Sequence, residues 1–345
     1  RKARPPLPFP TGAPRVRWYA FARAAIWDSV AILGLQPGDE VLVPGFQSGA
    51  EIDPLLQAGL SMRYSSAESA WALSVAELEA LVTSKTRAVL LIHFLGFAQP
   101  ETPAIRDFCA QRGLFLIEDC APSLYSRLPD GRELGTFGDV AVFSPSKTIP
   151  IGSGAALVLN NPALDFARAA AQVRAPLRQR LRRTRAWVPP PDDGGVRRFP
   201  RGHLFRRERH EGVAIPAIAR WMLARARPAD VIKRRRENYT AILDALEPCP
   251  TTRPLLEGLP IGAVPLAFPI VTSEAERVVA TYRRFGIGAL IFWRLAHDHV
   301  PDEVVLAAAH LRGKVVVVPV HQGLRADQLR RATRALFGPV SETPG

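Results

Sequence analysis

The feature that most constrains this chain is the alternation of short apolar runs with helical segments between residues 15 and 160. "RAVLLIHFLG", residues 87–96, stays apolar through successive positions, as a strand buried on both faces of a sheet must. "LFLIEDC" and "VAVF" repeat the pattern, and "VLVP" is a shorter version of it. "FARAAIWDSVAILGL" carries apolar residues at helical spacing and closes on the turn-forming "QPGDE". "SVAELEALVT" opens with Ser74 and has Glu77 three residues later, the pair expected of a capping box. "EIDPLLQAG" also reads as helix, and "ETPAIRDFCAQRG" as a helix that stops at Gly113. Short buried strands separated by helices require a mainly parallel central sheet sandwiched by helices, an α/β domain.

Beyond residue 160 the pattern changes. "PADVIKRRRENYTAILDALEP" predicts one long helix. The segments "GAVPLAFPIVT", "EAERVVATYRRFG", "KVVVVPV" and "RADQLRRATRALF" predict strand, helix, strand and helix of a smaller α+β domain. At 345 residues, with 47% apolar, the chain is long enough for both, and the division is placed at 1–235 and 236–345. The net charge of +13 raises a nucleic-acid reading, but much of the excess sits in one Pro- and Gly-containing excursion at about 174–210. That stretch is either a solvated basic loop or a surface for an anionic substrate or acidic partner; no recognised nucleic-acid motif accompanies it. Cys109, Cys120 and Cys249 are too few and scattered for a disulfide framework or zinc site. No apolar run reaches the roughly 18 residues of a membrane span, and "RKARPPLPFP" lacks the apolar core of a secretory signal. The expectation is a cytoplasmic protein.

Ligands of such sheets gather at the carboxyl ends of the strands. There "LFLIEDC" delivers Glu118, Asp119 and Cys120, and "VAVF" leads into Ser144, Ser146 and Lys147. A lysine in a dry site can act as a nucleophile toward a carbonyl and form a Schiff base. A carboxylate can hold a protonated ring nitrogen, and hydroxyls with backbone N–H groups can hold a phosphate. Those parts together suit pyridoxal phosphate, although a strand-end lysine is more often simply solvated or salt-bridged. "GSGAAL" and "GIGALI" lack the last glycine of a dinucleotide fingerprint, and no phosphate-binding GxxxxGK[ST] is present. "HDH" at 297–299 lacks a clear third metal ligand, so no metal site is expected.

The run "GLQPGDEVLVPGF", "TRAVLLIHFLGFAQP", "GLFLIEDCAPS", "LGTFGDVAVFSPSKTIPIGSGAALV" and "KRRRENY" resembles the DegT/DnrJ/EryC1/StrS family. Its members are fold-type-I, pyridoxal-phosphate-dependent sugar aminotransferases. The likeness is strongest over residues 15 to 160 and looser in "GAVPLAFPIV" and "VVVVPVHQGL". It implies that Lys147 is the catalytic lysine bonded to the cofactor and that Asp119 partners the pyridinium nitrogen. It also implies that Ser144, with the N–H groups of Arg23 and Ala24, contacts the phosphate. Gln47 and Ser48 fall where the family places a residue against the ring, and Pro122 where it often has Gln or His. His93 and Trp293 are candidate substrate contacts, each with a structural reading beside it: a hydrogen-bonded histidine and a core tryptophan.

The resemblance further implies a homodimer, with glutamate as amino donor and a keto-sugar nucleotide as acceptor in polysaccharide or natural-product sugar biosynthesis. The chain departs from the family pattern at Gln47, Ser48 and Pro122, in the short spacing from Ser144 to Lys147, and in "GSGA". It has no clear counterpart of the family's "GxNxRm" segment. Two alternatives stay open. One is dehydratase-like chemistry, against which Lys147 argues because such relatives typically carry His there. The other is a catalytically inactive scaffold or regulatory protein on the same fold.

Overall fold

The apolar runs become the centre of one seven-stranded sheet with strand order β1-β7-β6-β5-β4-β2-β3. Its strands are β1 (Val16–Tyr19), β2 (Glu40–Val43), β3 (Ser61–Tyr64), β4 (Thr86–Ile92), β5 (Phe115–Cys120), β6 (Val140–Phe143) and β7 (Ala155–Leu159). They come from a computed structural model that describes residues 8–66, 72–174, 198–199, 210–294 and 296–337. Strands β2 to β6 run parallel, whereas β7 and β1 are added antiparallel at one edge. Helices α1 (Ala22–Leu33), α2 (Asp53–Gln57), α3 (Val75–Leu81) and α4 (Thr102–Arg112) interleave with the strands. Two separate apolar clusters form, one from Ala88, Leu90 and Ile92 of β4 and one from Val89 and Leu91. Alternate side chains of β4 thus face opposite layers, which explains why its sequence is continuously apolar from Ala88 to Ile92.

The local signals act as expected. Ser74 accepts from the backbone N–H of Glu77, whose carboxylate accepts from that of Ser74, completing the capping box of α3. Helix α4 ends at Gly113 in the left-handed region (φ 66°), where a side chain would be strained.

Helices α5 (Ala217–Leu223) and α6 (Pro228–Leu243) follow the basic excursion. Beyond them a four-stranded antiparallel sheet has the order β11-β13-β10-β9. Its strands are β9 (Thr252–Pro254), β10 (Ala267–Thr272), β11 (Leu290–Ile291) and β13 (Val315–Pro319). Helices α7 (Ala275–Arg284), α8 (Asp302–Ala307) and α9 (Ala326–Arg334) complete this α+β unit, and two-residue β8 (Arg198–Phe199) pairs with β12 (Ala296–His297). Residue 235, the expected division, falls inside the unbroken α6, which sends Tyr239 and Ile242 into the C-terminal core. Most of the basic excursion, 175–197 and 200–209, lies outside the described residues. Among the described residues no helix is long and apolar enough to cross a membrane, and all three cysteines are free.

Candidate active site

Strands β5 and β6 are adjacent and parallel, with Asp119 opposite Val142 and Cys120 opposite Phe143. Their carboxyl ends therefore release Asp119 and the Lys147 segment side by side. Asp119 is buried, and its Oδ1 accepts one hydrogen bond, 2.8 Å from the Ala121 N–H. Burial pushes its carboxyl up to about 6; the Lys147 charge opposes this shift and the Glu51 carboxylate adds to it. An acid so placed favours a cationic partner.

Lys147 ends a 3-10 turn, Pro145–Lys147, directly after β6. The short spacing from Ser144 gives this tight turn in place of a longer loop: the Lys147 N–H donates to Ser144 O at 2.9 Å and the Ile149 N–H to Pro145 O at 2.7 Å. The lysine is exposed, and its amine has no hydrogen-bond or ion-pair partner among the described residues. The Ser144 and Ser146 hydroxyls lie 3.3 Å apart beside it. The chain returns to β7 through Gly152, held at φ 72°, which only glycine adopts without strain.

The "VPGFQSGAE" segment brings a third group of polar atoms. Gln47 is fully buried; its Oε1 accepts from the Gly49 N–H, and its Nε2 has no partner. Ser48 donates from Oγ to Glu51 Oε2 at 2.5 Å and from its N–H to Glu51 Oε1 at 2.9 Å. Glu51 was not among the residues expected from sequence, although its charge acts on Asp119.

The profile of the DegT/DnrJ/EryC1/StrS aminotransferase family matches residues 22–337. The chain belongs to this family. Curated family relatives match over a shorter stretch: GDP-perosamine synthase of Vibrio cholerae is 36% identical over 136 residues, 39% of this chain and 36% of that protein. The dTDP-4-dehydro-2,3,6-trideoxy-D-glucose 4-aminotransferase of Saccharopolyspora spinosa is 33% identical over 41% of this chain and 37% of that protein. The matched stretch thus spans little more than a third of the length of these relatives. Among solved structures, S. venezuelae DesV superposes with a TM-score of 0.71 at 21% identity, covering 95% of this chain and 86% of that one. A GDP-4-keto-6-deoxymannose-3-dehydratase with a trapped PLP-glutamate geminal diamine gives 0.69 at 18%, covering 94% and 89%. These likenesses establish the fold as that of fold-type-I pyridoxal-phosphate-dependent transferases.

The remaining residues suggested by the family pattern divide in two. Pro122 is buried three residues after Asp119, in the turn Ala121–Pro122 that follows β5. Arg23 and Ala24 lie in the first turn of α1, but the Ala24 N–H donates to Phe21 O at 3.1 Å, inside the helix start. Burial lowers the Arg23 guanidinium pKa, against the opposing charge of Asp53.

His93 is inside the protein: its Nδ1 accepts from the Gln99 N–H at 3.1 Å, so Nε2 carries the proton and donates to Glu118 Oε1 at 2.9 Å. Both ring nitrogens are thereby occupied, which supports the structural reading of His93. Cys120 completes a buried cluster with His93 and Glu118 whose possible ligand atoms lie within 4.8 Å of one another. The backbone N–H groups of Gly135, Phe137 and Gly138 already engage the carboxylate of that cluster.

Trp293 is half-buried with φ 44°, an uncommon left-handed conformation for so large a residue. Its ring stacks on Phe292 at 4.1 Å and meets Phe46 at 5.0 Å and Phe94 at 5.2 Å, across the seam between the two cores. The histidines of "HDH" turn to different partners: His297 Nε2 lies 3.5 Å from Asp53 and His299 Nδ1 3.1 Å from the Tyr64 hydroxyl.

Proposed function

We propose that this chain is a pyridoxal-phosphate-dependent aminotransferase that moves an amino group, with glutamate as donor, onto the keto group of a nucleotide-linked sugar. One observation carries the reading: a buried acid and an unpartnered lysine leave neighbouring parallel strands at the same end of the sheet. The residues suit the cofactor. Asp119, lifted by burial, is relieved by a cationic ring N–H; the Lys147 amine is free to bond an aldehyde carbon; the Ser144 and Ser146 hydroxyls can donate to a phosphate. When bound, the group supplies an electron sink for the carbon that gains or loses the amine. Lys147 would hold and move the proton at that carbon as general base and acid. Asp119 would keep the ring proton in place.

The two named relatives carry GDP- and dTDP-linked sugars in their names, which supports a nucleotide-linked acceptor here. The reading extends to a cytoplasmic homodimer with its C-terminal unit beginning near α6. Exposed Ile218, Trp221 and Met222 on α5 give a second copy an apolar face to bury, and the free cysteines suit a reducing compartment.

The test is spectroscopic. Purified chain incubated with pyridoxal phosphate should gain a visible absorbance band that survives gel filtration and is missing in Lys147→Ala. Glutamate should convert the band to that of the aminated cofactor, and a panel of keto-sugar nucleotides should restore it. No band in the wild-type chain would overturn the assignment.

A further inference from the structure

We propose that Arg235 and Gln322 are positioning residues for Lys147, two side chains from the C-terminal part of the chain that meet on the carbonyl of Thr148 and set the lysine turn. The proposal rests on the reading above that Lys147 bonds the cofactor. Thr148 caps that turn, and its carbonyl accepts from Arg235 Nη2 at 3.0 Å and from Gln322 Nε2 at 3.1 Å. Two distant donors thus converge on the carbonyl of the residue directly after the lysine.

Arg235 is the unusual member. It is the largest fully buried side chain, 1% exposed, and has no carboxylate within ion-pair distance among the described residues. Its Nε lacks a partner, and burial alone lowers its pKa to about 10. Burying a cation without a counter-charge is costly, and packing would be as well served by an apolar side chain. What the guanidinium gains is three carbonyls from two segments: Thr148, and Pro265 and Leu266 at 3.1 and 3.3 Å.

Those segments are themselves fixed. The Leu266 N–H donates to Leu95 O at 2.7 Å, and a Cβ on Gly96 would stand 2.2 Å from Val264 O. One turn further along α6, Asn238 Nδ2 donates to the carbonyls of Val320, His321 and Leu324, on both sides of Gln322. Helix α6 therefore reaches Thr148 twice, directly through Arg235 and indirectly through the loop that Asn238 holds. The closed circuit fixes the short turn: among the described residues, Arg235 and Gln322 are the side chains that donate to this carbonyl. A lysine amine displaced by about 1 Å loses on the order of a hundredfold in reaction rate, so such a circuit acts on chemistry as well as on stability.

The experiment follows bond formation between Lys147 and added pyridoxal phosphate in the full chain. Stopped-flow absorbance gives the rate, and borohydride reduction with peptide mass spectrometry gives the site. Gln322→Leu should slow bond formation about tenfold and Arg235→Met about a hundredfold, with Arg235→Lys recovering part of the loss. In the Lys147→Ala background, Gln322→Leu should leave non-covalent cofactor affinity within about twofold, because its effect passes through the lysine. In cofactor-free protein, amide hydrogen exchange over residues 146–151 should rise about tenfold in Gln322→Leu. Should Arg235→Met fail to fold, Gln322→Leu decides alone. Wild-type rates in the Gln322 variant, or an equal loss of affinity with and without the lysine, would overturn the positioning role. A wild-type chain unmodified at Lys147 would overturn the cofactor reading, and the positioning role with it.

Discussion

Glu118 and Asp119 are neighbours on one strand, yet they meet opposite environments. Successive strand residues face opposite sides of a sheet, so the two carboxylates cannot share surroundings. Glu118 is fully buried and accepts from the backbone N–H groups of Gly135 at 2.5 Å and of Phe137 and Gly138 at 2.9 Å, besides the His93 ring. Burial pushes its pKa up, but the His93 hydrogen bond and the backbone donors outweigh that and hold it below the usual carboxylate range. Asp119 has one backbone donor and a neighbouring Glu51 charge, and is pushed up to about 6. A carboxylate surrounded by fixed donors holds a fold together; one left short of donors is prepared for a ligand.

The contrast is tested most severely at the open side. Lys147→Ala should remove covalent cofactor attachment and lower transamination at least about a thousandfold, roughly 4 kcal/mol in barrier, while the thermal midpoint without cofactor stays unchanged. A variant that keeps both band and turnover would break the assignment of the site. On the filled side the effects exchange. Glu118→Ala leaves buried N–H groups without an acceptor and should cost about 3 kcal/mol in denaturant unfolding. Soluble, normally stable Glu118→Ala protein would show that the donor shell is incidental.

A smaller effect separates the carboxylates by pH. In the cofactor-free chain the Asp119 pKa is raised from 3.8 to about 6, so its contribution to stability is fully present below about 4 and is lost as pH rises through 6. Binding of a protonated ring nitrogen runs the other way, because it needs the ionised acid. Cofactor affinity should thus fall about tenfold between pH 7 and pH 5 beyond any change seen in Asp119→Asn, which removes the titration. Identical pH profiles for the two proteins would refute the pairing of Asp119 with the ring.

The contrast also shows what the sequence made legible. Continuous apolar runs mark β4, β5 and β6 because both faces of those strands are covered, and polar residues straight after such runs mark strand ends, where Asp119 and Lys147 sit. The edge strands β1 and β3 escape such a reading, since "VRWY" and "SMRY" carry arginines and are only partly buried. Glu51, Arg235 and Gln322 escape it for another reason. Each reaches the site from a loop or helix whose place depends on the tertiary fold, and an arginine within "KRRRENY" gives no local sign that it alone of the three is buried. The family pattern placed an N–H of Ala24 at the phosphate, whereas in the structure that donor is engaged inside α1.

The smallest predicted effect asks on which side of the contrast His93 belongs. Its ring bridges Gln99 and Glu118, and its backbone N–H donates to Asp119 O at 3.0 Å, so it touches the filled side by its side chain and the open side only through the main chain. His93→Gln keeps a donor for Glu118 but loses the acceptor for the Gln99 N–H, which should cost about 1 kcal/mol of stability. The same change replaces the fixed ring donor that lowers the Glu118 pKa with a more flexible amide donor that lowers it less. Stability owed to a depressed carboxylate is present above its unfolded value, near 4.5, and is lost as pH falls through the folded one. The variant should therefore begin acid unfolding at a higher pH than wild type, with KM for both amino donor and acceptor unchanged. A rise in KM with an unaltered acid transition would instead move His93 to the substrate side of the strand.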